Sequence, residues 1–141
     1  MNLNEKILIW LLRLSGAVML TALGAVVMPY DWMNVIHQRM GLGELPNVPI
    51  VGYLTRSISA LYALHGALFV FIASDVRRYL PVLRFLVLAG IVFGGVLIGV
   101  DCAVGMPLSW TVEEGASTIV FSIAILWMTG RKRFPTTVAA A

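Results

Sequence analysis

The chain has 141 residues, 60% of them hydrophobic and only 12% charged, with a net charge of +3, and its mean hydropathy is +0.91. Soluble domains carry about 25% charged residues, so this composition cannot clothe a water-facing surface and excludes an ordinary soluble domain. The basic residues lie dispersed at the ends of apolar stretches rather than in a patch interleaved with aromatics, which excludes nucleic acid as the partner. A single cysteine, Cys102, leaves no internal disulfide and no paired-cysteine redox or metal site.

A helix needs about 20 mainly apolar residues to cross a bilayer. Four stretches have that length: Ile7 to Met28, stopped by Pro29; Leu54 to Ser74; Val82 to Val100, between Pro81 and Asp101; and Val112 to Thr129, ahead of Arg131-Lys132-Arg133. Ala22-Leu23-Gly24-Ala25 has the small residues of a signal-cleavage site, but the apolar region before it is too long and is interrupted by Arg13, so the first stretch is read as a retained span. The expected fold is an all-α integral membrane four-helix bundle, antiparallel, in a single domain over residues 1–134 with a flexible tail at 135–141.

Charge at the span ends sets an expected orientation. The N-terminal end, the 74–84 turn and the tail hold Lys6, Arg13, Arg77, Arg78, Arg84, Arg131, Lys132 and Arg133, whereas the other two loops hold only Arg39 and Arg56. Basic residues mark the cytoplasmic side, so both termini are expected in the cytoplasm and the protein in the inner (plasma) membrane. Tyr30, Trp32, Tyr53 and Trp110 then fall at the outer headgroup level and Trp10, Tyr79 and Trp127 near the inner one, where amphipathic rings are favoured.

Small residues at four-residue spacing let helices approach closely in lipid. Such stripes are Ala17, Thr21 and Ala25 in the first span, Ser59, Ala63 and Ala67 in the second, and Gly90 and Gly94, with Gly95 and Gly99 beside them, in the third. Gly115, Ser117, Ser122 and Ala124 are scattered along the fourth. The loop after Pro29 predicts a short interfacial helix capped by Asp31, with Trp32, Val35, Ile36 and Met40 on one face. Gly41, Gly43, Pro46 and Pro49 then predict extended chain. Residues 101–111 read as a tight connection, with Thr111 and Glu114 at capping-box spacing opening the fourth helix.

Ionisable groups inside hydrocarbon are costly and draw a functional reading by default. Arg13, about 9 Å of helix rise from the inner end and on the face of Ala17 and Gly24, reads as turned toward the bundle. It either snorkels to the inner surface, meeting Asp75, or holds an anionic group. His65, mid-span with Tyr62 and Phe69 on its face, reads as a neutral histidine bonded to a neighbouring helix, or as a ligand or proton contact. At the outer mouth Arg56, Asp101, Glu113 and Glu114 read as an ion-pair lid, or as a polar site over an apolar pocket, with the macrodipole at a helix N-terminus as the structural reason for the two glutamates.

The segments LLRLSGAVMLTALGAVVMP, LGELPNVPIVGYLTRSISALYALHG, DVRRYLPVLRF and GVDCAVGMPLSWTVEEG resemble, in that order, a group of small four-helix bacterial membrane proteins with no established activity. Leu12-Arg13-Leu14 before a Gly/Ala-rich helix is also similar to DoxX-like four-helix proteins, a resemblance that implies a link to quinone oxidoreductase complexes through the surroundings of Arg13. The leading functional expectation is a noncatalytic accessory or assembly component acting through helix packing, with a membrane-protein partner or a second copy. The alternative is a binder or carrier of a small hydrophobic ligand such as a quinone or lipid, with Arg56, Asp101, Glu113, Tyr62, His65 and Arg13 as candidate contacts. A lipid-modifying enzyme stands third, since His65 has no evident carboxylate partner at its depth. No catalytic residue, metal ligand or cofactor is expected.

Overall fold

The computed structural model describes residues 3–130; the cationic run Arg131-Lys132-Arg133 and the tail at 135–141 lie outside the described residues. All regular structure among the described residues is helical, and four rods are long and apolar enough to cross a membrane: Leu3–Val27, Pro49–Ile72, Leu80–Val104 and Leu108–Met128. The chain clusters into two compact units, Ile9–Ser74 and the pair of segments Met1–Leu8 and Asp75–Ala141.

The Ile9–Ser74 unit holds most of α1 (Leu3–Leu20), then α2 (Leu23–Val27), α3 (Tyr30–Arg39) and α4 (Pro49–Ile72). The first rod is broken at Thr21–Ala22, where the Thr21 hydroxyl donates to the Val18 carbonyl at 2.6 Å. The N–H groups of Thr21, Ala22, Gly24 and Ala25 each reach a carbonyl three residues back, so the helix tightens locally to 3₁₀ geometry. Met28 is extended ahead of Pro29, as the residue before a proline prefers.

The close approach in this unit is made by Gly16 and Gly66. A Cβ on Gly16 would lie 2.6 Å from the Gly66 carbonyl oxygen, and one on Gly66 would lie 2.6 Å from that of Gly16. This corrects the expected stripes in part. Ala17, Thr21 and Ala67 are exposed, whereas Ala63 is buried as expected, with Gly66, Phe69 and Ile72 beside it on α4. Offset by one residue, a small side chain moves about 100° round the helix, so spacing alone cannot choose between neighbouring registers.

The other unit holds α5 (Leu80–Val104), α6 (Leu108–Thr111), a π-helical turn (Val112–Ala116) and α7 (Ser117–Met128). Gly94 and Gly115 meet backbone to backbone, a Cβ on Gly94 falling 2.7 Å from the Gly115 carbonyl oxygen, and Gly90 faces the Ser122 hydroxyl. Gly95 and Gly99 have open space around them. The π turn contains Gly115 and inserts an extra residue at this crossing. The Thr118 hydroxyl donates to the Glu114 carbonyl at 2.6 Å and the Ser117 hydroxyl to that of Glu113, so carbonyls of the widened turn find partners.

Span boundaries shift outward for identifiable reasons. Pro49 and Pro81 sit in the first turns of α4 and α5 rather than before them, because an N-terminal turn needs no N–H from its first residues. The third span runs past Asp101 and stops at Gly105, whose φ of +74° is the left-handed stop that glycine supplies. The expected 101–111 connection is therefore only the Gly105–Pro107 link, and the fourth rod begins at Leu108 after Pro107. Thr111 is already helical, with φ −58° and ψ −38° and no side-chain cap, which removes the expected capping box. Asp31 is likewise not a cap, since Pro29 holds that position and Asp31 lies in the first turn.

Candidate functional site

Arg56 lies seven residues into α4, inside the span. Its Nε donates to the Val26 carbonyl at 3.1 Å, one terminal nitrogen to the Met28 carbonyl at 3.1 Å, and the other to Gly52 at 3.2 Å. Gly52 makes room: a Cβ there would stand 3.0 Å from the guanidinium. Helix C-termini leave carbonyls without intrahelical donors, and here an arginine of a neighbouring helix satisfies those at the end of α2. Within this apolar rod the cation is met by three carbonyl dipoles rather than by a carboxylate.

The acidic candidates belong to the other unit. Asp101 is in the last turn of α5, only 5% exposed, and its Oδ2 is the one buried side-chain oxygen or nitrogen without a hydrogen-bond partner among the described residues. Its own carbonyl accepts the Met106 N–H at 2.9 Å. Glu113 is exposed on the π turn, and Glu114 accepts the Trp110 indole N–H at 2.9 Å. That i to i+4 contact is the role Glu114 takes in place of the expected cap.

Tyr62, His65 and Arg13 are all exposed on the Ile9–Ser74 unit. His65 meets Phe69 edge to face, with centroids 5.3 Å apart and planes at 76°. Arg13 is exposed at the edge of the packed face, against the expectation that it turns inward. The buried positions of α1 are Glu5, Leu8, Leu12 and Gly16, and Arg13 falls about 100° from the centre of that face.

Two arginine contacts are announced by no residue spacing in the sequence. Arg77 makes a bidentate pair with Glu5, at 2.8 and 3.0 Å, with Glu5 buried at 5% and Arg77 exposed at 62%. The Glu5 hydrogen bond, then its charge, and to a smaller extent the charge of Asp75 raise Arg77 above the ordinary arginine value. Stability linked to a raised base is complete below its unfolded value and is lost only as pH rises through the elevated one, so the pair is insensitive to pH from the arginine side anywhere near neutrality. Arg84 donates to the Thr129 carbonyl at the end of α7, the same use of an arginine that Arg56 makes. A lone acid among cations near the first span was the available signal for Glu5. Nothing in the spacing announces a partner 72 residues away.

Among the described residues no three His, Cys, Asp or Glu side chains are grouped so as to hold a metal ion. The chain matches no known protein family, no curated protein and no solved structure.

Proposed function

We propose that this protein is a noncatalytic component of the bacterial inner membrane that works by lateral helix contact, as an accessory or assembly subunit. On this reading the four apolar rods cross the bilayer as an antiparallel bundle with both termini in the cytoplasm. The observation that carries it is the outward side of α5. A Cβ added to Gly95 or Gly99 would meet nothing within 4 Å, and Leu88 and Val92 on the same side are exposed. An apolar helix with open glycines four apart offers a second helix a close backbone approach.

Cys102, exposed two turns beyond Gly95, supplies the test. Bismaleimide treatment of native membranes should trap Cys102 against a neighbouring chain, and Gly95→Leu should abolish the adduct. A chain that stays strictly monomeric under these conditions would overturn the reading.

A second reading, a binder of a small hydrophobic molecule, is favoured by one observation: the buried, unpartnered Oδ2 of Asp101. A ligand with a hydrogen-bond donor at its polar end would satisfy it. Thermal stabilisation by a reduced quinone should then fall in Asp101→Asn; equal stabilisation in this variant and wild type removes this site.

A further inference from the structure

The segment between the first two rods carries a surface that lateral contact through α5 does not use. Trp32, Val35 and Ile36 on α3 and Met40 at its C-cap are all exposed, Trp32 by 66%. At about 100° per residue they fall within one sector of about 140°. The opposite side is tied down. Asn34 Oδ1 accepts the Leu45 N–H at 2.8 Å, the Tyr30 hydroxyl donates to the Leu45 carbonyl, and His37 Nδ1–H donates to the Gly43 carbonyl at 2.9 Å. Met33 is buried. These bonds fold the 40–48 segment back over one face of α3 and fix the apolar sector outward.

Two observations identify what meets that sector. The first is continuity: α3 starts three residues after the end of α2 and its loop returns directly to Pro49, so it is held at the depth where two membrane rods end. The second is Arg39, which is exposed and lies between Val35 and Trp32 on the helical wheel, inside the apolar sector. Pressed against an apolar protein face, that guanidinium would be buried without a partner, at a cost of several kcal/mol. At the boundary between lipid tails and headgroups its stem lies along the tails while its head reaches a phosphate.

We propose that α3 is a phospholipid-docking helix, with Trp32, Val35, Ile36 and Met40 inserted at the acyl–headgroup boundary and Arg39 bound to a lipid phosphate. It fits a lipid leaflet rather than a second copy of the chain, because a two-fold contact through this face would bring Arg39 toward its own symmetry mate.

The test uses the full chain in phosphatidylcholine–phosphatidylglycerol vesicles, with Trp32 as sole tryptophan (Trp10, Trp110 and Trp127→Phe). Phospholipids brominated near the headgroup should quench Trp32 more than those brominated near the chain end, and aqueous iodide should quench it little. Arg39→Glu should lower the docking equilibrium constant at least about five-fold, the equivalent of one basic residue's contribution at an anionic surface. Strong iodide quenching without bromine quenching overturns the proposal. So does shielding from both that disappears on dilution into excess lipid, which would assign the face to a second copy. Should the triple-Phe chain fail to fold, a spin label at Val35→Cys in Cys102→Ala decides: greater access to oxygen than to a water-soluble nickel complex supports docking, and the reverse overturns it.

Discussion

Gly94 and Gly95 are adjacent in α5 and opposite in consequence. A Cβ on Gly94 would strike the Gly115 carbonyl oxygen at 2.7 Å, whereas one on Gly95 would meet nothing within 4 Å. One residue of offset, about 100° of rotation, separates a glycine that closes the protein's own packing from one with open space beside it. The comparison teaches that small residues in a membrane helix become informative only when it is known which of them are already covered.

The largest effect should come from the closed side. Gly94→Ala presses on the Gly115 backbone as well as on the Ile119 side chain, and should destabilise by about 1–3 kcal/mol, read as a lower midpoint in reversible detergent unfolding. Gly66→Ala in the other unit should behave alike, because its Cβ meets the Gly16 carbonyl oxygen at 2.6 Å. If either variant unfolds like wild type, the backbones do not meet this closely and the contrast with Gly95 fails.

Next in size is Arg56→Ala, which strips donors from the carbonyls of Val26, Met28 and Gly52. These carbonyls are part-buried, so losing the arginine donors should cost about 1 kcal/mol. Arg56→Lys should recover only part of this, since an ammonium is a point donor and cannot span three acceptors as a planar fork does. Full rescue by lysine would recast Arg56 as a charge, not a clamp. Gly95→Leu, by contrast, should stay within about 0.5 kcal/mol of wild type while eliminating crosslinking through Cys102. Loss of stability together with crosslinking would show that Gly95 belongs to the chain's own core.

These contrasts also mark what the sequence makes legible. Hydrophobic length shows four rods because a bilayer demands it of any backbone that crosses. The amphipathic α3 is visible because its apolar residues repeat at helical spacing. Ends are less legible: Asp101 looks like a boundary because it is charged, yet a buried position in the last turn accommodates it and Gly105 makes the actual stop. The candidate site is least legible. Arg56 draws attention as a cation near acids, but its partners are main-chain carbonyls, which exist at every position and carry no signature of their own. Arg13 and Ala17 show the same limit, since both lie on a plausible face and packing selects the one through Gly16.

The smallest predicted effect is the most discriminating for the start of the fourth rod. Were Thr111 an N-cap, Thr111→Ala would cost about 1 kcal/mol. In the structure Thr111 is helical and its side chain makes no cap, the rod having begun at Leu108 behind Pro107. Alanine is the better helix former at an interior position, by up to about 0.7 kcal/mol, so the sign reverses: Thr111→Ala should leave the unfolding midpoint unchanged or raise it slightly. The partner substitution sharpens this. Glu114→Gln keeps an oxygen for the Trp110 indole and should be nearly silent, while Glu114→Ala leaves that N–H without its acceptor and should cost about 0.5–1.5 kcal/mol. A box built on Thr111 would instead make the threonine substitution the costly one, so the order of the two alanine variants decides where this helix begins.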